Sequence, residues 1–237
     1  MRTIGIIGGL SWPSTIDYYR VINEQINQRL GGMEAGKILI YSFNFGEIRE
    51  LTLRDDWPAI TRHVVDVAKK LQAAGAECLV MAANTMHKIA PEMKAAIDIP
   101  LIHIAEVTAK AVQEQEVKKV ALLGTKFTME LDFYPEALRR YGIETIIPGE
   151  KDRDYIHSTI YNELGKGIFT DELRNRYKEI INELMQQGAQ GVILGCTEIP
   201  LLIKPGDSPI PIFDTALIHA TAAVDFALAG TKTGLVH

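Results

Sequence analysis

Cysteine is scarce in this chain: Cys78 and Cys196 are the two among 237 residues, too few for a disulfide framework. A secretory leader, with its charged start, apolar stretch and cleavage site, is also missing, so a reducing cytoplasm is the expected setting. No run reaches the roughly 18 unbroken apolar residues of a membrane-spanning helix. Positive charge is not in excess, with 25 Lys+Arg against 30 Asp+Glu and a net −5, which provides no basic field to gather phosphates and argues against nucleic acid as a partner. The glycines of GGLSWP do not form G-x-G-x-x-G and no P-loop lysine follows, so a nucleotide cofactor has no support. Neither H-E-x-x-H nor C-x-x-C occurs. No tight cluster of His, Cys or carboxylates surrounds His87, His103 or His219 in the sequence, so no metal is expected.

What is present is a 47% hydrophobic chain, long enough to bury one large or two small cores. Thr3 to Gly9 reads as a strand buried on both faces and closed by glycines. Ser14 is a plausible N-cap for a helix carrying Tyr18, Val21, Ile22, Ile26 and Leu30 at three-to-four spacing, and Gly31-Gly32 ends it. Ile38 to Phe43 is a second strand, 57–74 an amphipathic helix closed by Gly75, Cys78 to Ala82 a third strand and Pro100 to Ile104 a fourth. Alternation of this kind is the signature of a parallel sheet with helices on both faces, an α/β fold.

The second half repeats the grammar of the first. Ile4-Gly5-Ile6-Ile7-Gly8 matches Val120-Ala121-Leu122-Leu123-Gly124, 116 positions on; Leu71 to Ala83 matches Leu184 to Cys196, 113 on; Ile99-Pro100-Leu101-Ile102-His103 matches Ile210-Pro211-Ile212-Phe213-Asp214, 111 on. Three collinear blocks with shared Gly and Pro punctuation predict a duplicated α/β half. The expected domains are 1–105 plus 216–237, with a last helix from Ala216 to Leu228 and a frayed tail over 229–237, and 106–215.

Ligands of open parallel sheets bind beyond the carboxyl ends of the strands. That rule selects Gly8, Gly9 and Ser11, then Asn44 to Arg49, then Ala83-Asn84-Thr85, then Gly124-Thr125, then Gly195-Cys196-Thr197-Glu198. Halves facing across a pseudo-two-fold axis would set the 83–85 and 196–198 segments on opposite sides of one cleft. Cys196 is the candidate for reactive chemistry, because backbone N–H groups and a following helix can hold a thiol there as thiolate. Its competing reading is a small buried hydrophobe. Cys78, at the start of its strand, is packing. Asn84, Thr85, Thr125 and Thr197 can grip a carboxylate without adding charge, although capping and turn formation explain such residues as readily. Arg49 suits a second carboxylate, with Thr52 one helical turn further on; a solvated surface arginine is the alternative. His87, on the helix after Asn84-Thr85, could tune the pocket electrostatically or be an ordinary helix-face histidine.

At this point TIGIIGGLSW, ANTMHK at 83–88, ALLGTKFTM at 121–129, GAQGVILGCTEI at 188–199 and the closing PIFDTALIHA together resemble the aspartate/glutamate racemase family, in its broad-specificity amino-acid racemase branch. The resemblance implies two pseudo-symmetric parallel-sheet α/β domains with the site in the cleft between them, no cofactor, and two cysteines that remove and return the α-proton from opposite faces of the substrate. Mirror-related acid and base groups suit inversion, since a proton leaving one face must be replaced on the other. Cys196, in its GCTE setting, matches the second family cysteine. The first would stand immediately before Asn84, where this chain has Ala83, whose methyl neither accepts nor donates a proton.

The expected function is therefore PLP-independent amino-acid racemisation on aspartate, glutamate or a related amino acid, weakened or made one-sided at position 83. Cys196 is the acid/base thiol, and Asn84, Thr85, Thr125 and Thr197 hold the α-carboxylate or amine. Arg49 and Thr52 hold the distal group, Ser11 completes the wall, and Glu198 orients the ammonium or the thiol, a helix-start carboxylate being its alternative. A small amino acid or dicarboxylate is the expected partner, and a homodimer is compatible with the sequence. Two other readings stand beside this one: a catalytically silent amino-acid or dicarboxylate binder, and a single-cysteine decarboxylase-like enzyme.

Overall fold

The computed structural model describes residues 1–230, so most of the expected tail lies outside the described residues. The chain divides into two compact units, Met1–His103 with the described residues from His219 on, and Ile104–Ile218. In the first, β1 (Ile4–Gly8), α1 (Trp12–Leu30), β2 (Ile38–Ser42), α2 (Phe45–Leu53), α3 (Trp57–Ala73), β3 (Cys78–Met81) and α4 (Ala90–Ala96) follow in order, with a 3-10 turn over Thr85–Ile89. The second holds α5 (Ile104–Glu114), β4 (Lys119–Gly124), α6 (Lys126–Glu130), α7 (Phe133–Arg140), β5 (Glu144–Ile146), α8 (Glu150–Asn162), α9 (Asp171–Gln186), β6 (Gly191–Gly195), α10 (Ile199–Leu202) and β7 (Ile212–Asp214). The helix α11 (Thr215–Leu228) starts in the second unit and continues into the first.

Both sheets are parallel, ordered β2-β1-β3 and β5-β4-β6-β7, and a bridge from Leu79 to Leu101 holds the place in the first sheet that β7 holds in the second. Their registers coincide under the offsets read from the sequence. Ile4 pairs with Cys78 as Val120 pairs with Gly191, and Leu79 bridges Leu101 as Val192 pairs with Ile212. The turns into the third strand of each half repeat as well. Gly75 and Gly188 have φ of 99° and 95°, and Ala76 N–H bonds the Leu71 carbonyl as Ala189 N–H bonds that of Leu184.

The central strands β1, β3, β4 and β6 are apolar because both faces are covered, whereas the edge strand β2 leaves Ile40 and Tyr41 exposed. In the second unit Ala121, Leu123, Val192 and Leu194 pack with Ile156 and Ile160 of α8 and Tyr177, Ile180 and Leu184 of α9. The alternate residues Val120, Leu122, Ile193 and Phe213 pack with Ala105, Ala109 and Val112 of α5 and with Tyr134 and Leu138 of α7. This two-residue alternation is the pleat of a strand.

Two local expectations are corrected. Ser14 does not cap α1; the N-cap is Ser11, and Pro13 sits in the first turn, where its missing N–H costs nothing and its fixed φ suits the helix. Pro100 to Ile104 is not a strand but a single bridge. Leu79 N–H bonds the Pro100 carbonyl and Ile102 N–H the Leu79 carbonyl, after which β3 turns away as Ala83 N–H folds back on the Met81 carbonyl. The next free carbonyl, Ile102 O, goes to His219 instead.

The loops after β1 and β2 approach so closely that only glycine fits at position 9. Its φ is +71°, and a Cβ there would stand 2.1 Å from the Phe43 carbonyl oxygen. Gly9→Ala is expected to lower stability by at least about 2 kcal/mol through left-handed strain plus this clash. A urea denaturation midpoint equal to that of the parent protein would contradict the loop geometry.

Candidate active site

The paired strands of the second unit deliver its candidate residues side by side. Gly124 and Gly195 are register partners, and side chains there would meet Gly195 O at 2.9 Å and Thr128 Cγ2 at 2.9 Å respectively, so the strand ends can close up only as glycines. Thr125 and Cys196 are the next residues. Thr125 caps α6, its hydroxyl accepting the Thr128 N–H, and it is buried. Cys196 is half-buried and its thiol donates to Glu198 Oε2 at 2.9 Å, while the Thr197 hydroxyl donates to the same oxygen at 2.8 Å.

This geometry overturns the expectation that the site holds a resting thiolate. Burial, the negative charge of Glu198 and the hydrogen bond to its carboxylate hold the Cys196 thiol well above its ordinary range; the backbone N–H groups of Glu198 and Thr197 oppose this less strongly. The following helix, α10, has four residues and offers little dipole. Cys196 is thus an S–H donor with a built-in proton acceptor. Tyr177, on α9, packs in the core that Cys196 abuts and bonds Thr159 at 2.9 Å. Its place in the apolar spacing of that helix hid it from sequence analysis. Cys78 is fully buried, and burial pushes its thiol up to about 12.

In the first unit the carboxyl ends of β2, β1 and β3 lie side by side, because Ile7 pairs with both Tyr41 and Met81. Ser11, Asn44 and the 83–85 segment follow those ends. The 83–85 segment begins the 3-10 turn, with Asn84 buried and Thr85 half-buried. Arg49 and Thr52 lie on α2; Arg49 is exposed, and the Thr52 hydroxyl donates to the Ile48 carbonyl at 2.8 Å.

A family model for Asp/Glu/hydantoin racemases matches residues 7–223. The chain belongs to that family. Its similarity to RacX, a broad specificity amino-acid racemase of Bacillus subtilis, is 25% identity over 95% of this chain and 98% of the relative. The crystal structure of a candidate Asp/Glu racemase from Yersinia pestis superposes with a TM-score of 0.91 at 45% identity, covering 96% of this chain and all of that one. An aspartate racemase homologue from Pyrococcus horikoshii gives 0.85 at 34%, covering 96% and 99%. Membership supports amino-acid racemase function, an isomerase activity, on an α/β fold with two parallel sheets. Among the described residues no helix is long and apolar enough to cross a membrane.

The fold of this racemase-family chain brings three histidines into ring contact, although among the described residues no group of His, Cys, Asp or Glu could hold a metal ion. His87, His103 and His219 pack edge to face, with ring centroids 4.8 Å apart for His87–His103 and 5.3 Å for His87–His219. They come from three distant segments, so no spacing in the chain announces them.

Two ionisation experiments test these environments. Glu198→Gln removes the charge and the carboxylate acceptor that keep the proton on sulfur, so the pH at which Cys196 becomes alkylated by iodoacetamide is expected to fall; an unchanged or higher value would contradict the pairing. His219 is pushed down to about 3 by burial first and by His87 second, and His87 is lowered by burial and His103. These rings are neutral in the fold and ordinary, near 6.5, when unfolded. Their stabilisation is complete above that value and is lost as pH falls below it, for His219 down to about 3, by up to about 1.4 kcal/mol per pH unit for a ring that titrates only when unfolded. His219→Gln is expected to flatten this acid limb in urea unfolding; an equally steep limb would contradict the neutral cluster.

Proposed function

We propose that this protein moves the α-proton of aspartate, glutamate or a related amino acid with the Cys196 thiol, without a cofactor, and that exchange on one face outruns inversion. The observation that carries this reading is the Cys196 S–H donated to Glu198 at the carboxyl end of β6. A thiol held protonated needs a base before it can act as one, and Glu198 stands at hydrogen-bond distance to serve.

In this reading the Glu198 carboxylate takes the thiol proton, and the resulting thiolate takes the α-proton, leaving the electron pair on the α-carbon conjugated with the carboxylate. The thiol then returns a proton to the face it came from. Exchange of the sulfur-bound proton with solvent through Glu198 puts solvent hydrogen on that carbon with retained configuration. Inversion needs a donor on the other face, and Ala83 provides a methyl where the family resemblance implies a thiol. Asn84, Thr85, Thr125 and Thr197 take the α-carboxylate or amine, Arg49 and Thr52 the distal group, and Ser11 completes the wall. The Thr197 hydroxyl, by donating to Glu198, keeps that carboxylate turned toward the sulfur.

With the purified protein in D₂O, deuterium is expected at the α-carbon of one enantiomer of aspartate or glutamate faster than that enantiomer inverts. Cys196→Ser is expected to reduce exchange by about 100-fold or more, and Ala83→Cys to raise inversion. Substrate binding with no exchange in the parent protein would overturn the reading in favour of a silent binder, and release of CO₂ in favour of a decarboxylase.

A further inference from the structure

Four polar side chains of the first unit, Tyr18, His87, His103 and His219, are buried together, and the proposed reaction uses none of them. Hydrogen bonds fix the tautomers of His219 and His87. A carbonyl oxygen can only accept, so His219 donates its Nε2–H to the Ile102 carbonyl at 2.7 Å; its Nδ1 is then an acceptor and takes the Tyr18 hydroxyl at 2.6 Å. By the same argument His87 donates its Nδ1–H to the Ala83 carbonyl at 2.9 Å. Its Nε2 is buried with no hydrogen-bond partner among the described residues, which costs about 1–3 kcal/mol and leaves Nδ1 as the working end of the ring.

That bond falls on residue 83, which is held on both sides of its Cα. Ala83 N–H donates to the Met81 carbonyl at 2.8 Å, and the Ala83 carbonyl accepts from His87. Each flanking peptide is planar, so holding both leaves the Cα–Cβ bond a single direction. The ring that does the holding is itself fixed, with His103 and His219 against it at interplanar angles of 66° and 71°. His219 is in turn anchored at both nitrogens.

We infer that His87 is a positioning residue: through its hydrogen bond to the Ala83 carbonyl it sets the direction of the side chain at position 83, and His219, itself held by Tyr18 and Ile102, keeps the ring in place. The chemical value of that direction rests on the proposed reading, in which residue 83 faces the substrate. The role itself does not depend on a methyl being there, so any functional group introduced at position 83 inherits the same aim.

The test uses the full chain carrying Ala83→Cys and Cys196→Ser, which leaves the introduced thiol and the buried Cys78 as an internal control. Alkylation by iodoacetamide at fixed pH is followed at each site by peptide mass spectrometry. Adding His87→Leu is expected to change the rate at the introduced thiol at least fivefold. His87→Asn puts an N–H donor the same number of bonds from the backbone as Nδ1, so its rate is expected to stay within twofold of the parent, with Cys78 unmodified throughout. An unchanged rate in His87→Leu, an equal change in His87→Asn, or Cys78 becoming reactive in step would overturn the inference and make His87 a general packing residue. Where His87→Leu fails to fold, His87→Gln takes its place, since its amide lies one bond further out and is expected to give the same fivefold change. No substrate enters this assay, so its outcome is separate from that of the deuterium exchange.

Discussion

Parallel pairing of β1 with β3, and of β4 with β6, is the constraint from which the chemistry of this chain follows. A parallel sheet points all its carboxyl ends one way, so every loop that follows a strand emerges on one edge. In the second unit the central pair ends in facing glycines, and the lack of side chains there lets Thr125 and Cys196 leave the sheet as neighbours. In the first unit the equivalent pair separates one residue earlier, because Ala83 folds back on Met81. One register used twice therefore gives two different loops.

The offsets of the internal repeat carry over into the registers, which is why so much of the fold was legible in the sequence: apolar strand cores, Gly-terminated helices and X-Pro punctuation are local signals. Cys196, Thr197 and Glu198 were legible as a segment for the same reason. The sequence misplaced the start of α1 because Ser14 is a good cap in isolation, whereas Pro13 in the first turn moves the start to Ser11. It lengthened the Leu101 bridge into a strand because apolar residues after a proline look the same whether or not a partner strand persists beside them. It read the sulfur as a resting thiolate, since nothing in the order of residues shows that the Glu198 side chain turns back to Cys196. The histidine cluster was out of reach, being made wholly of long-range contacts.

Burial disfavours charge of either sign, and the two units use that fact in opposite ways. In the second it keeps a proton on sulfur, next to a carboxylate able to receive it. In the first it keeps protons off His87 and His219, and neutrality lets His219 be donor at Nε2 and acceptor at Nδ1. A charged His219 would be donor at both nitrogens, and the Tyr18 hydroxyl would have to turn from donor to acceptor. The proposed reaction draws on the first of these arrangements, the thiol beside its carboxylate, and leaves the second as a neutral, rigid cluster.

The second unit is one unbroken stretch, Ile104–Ile218, set within the chain of the first, whose own residues lie on either side of it. A ribosome therefore finishes the inserted unit before it has made the residues that complete the earlier one. Until His219 emerges, the Tyr18 hydroxyl lacks its imidazole; Gln25 waits for Thr221, Arg29 for Asp225 and the Arg2 N–H for the Ala227 carbonyl. The usual amino-to-carboxyl order of domain completion is reversed here: the unit whose chain is begun first is the one whose chain is completed last.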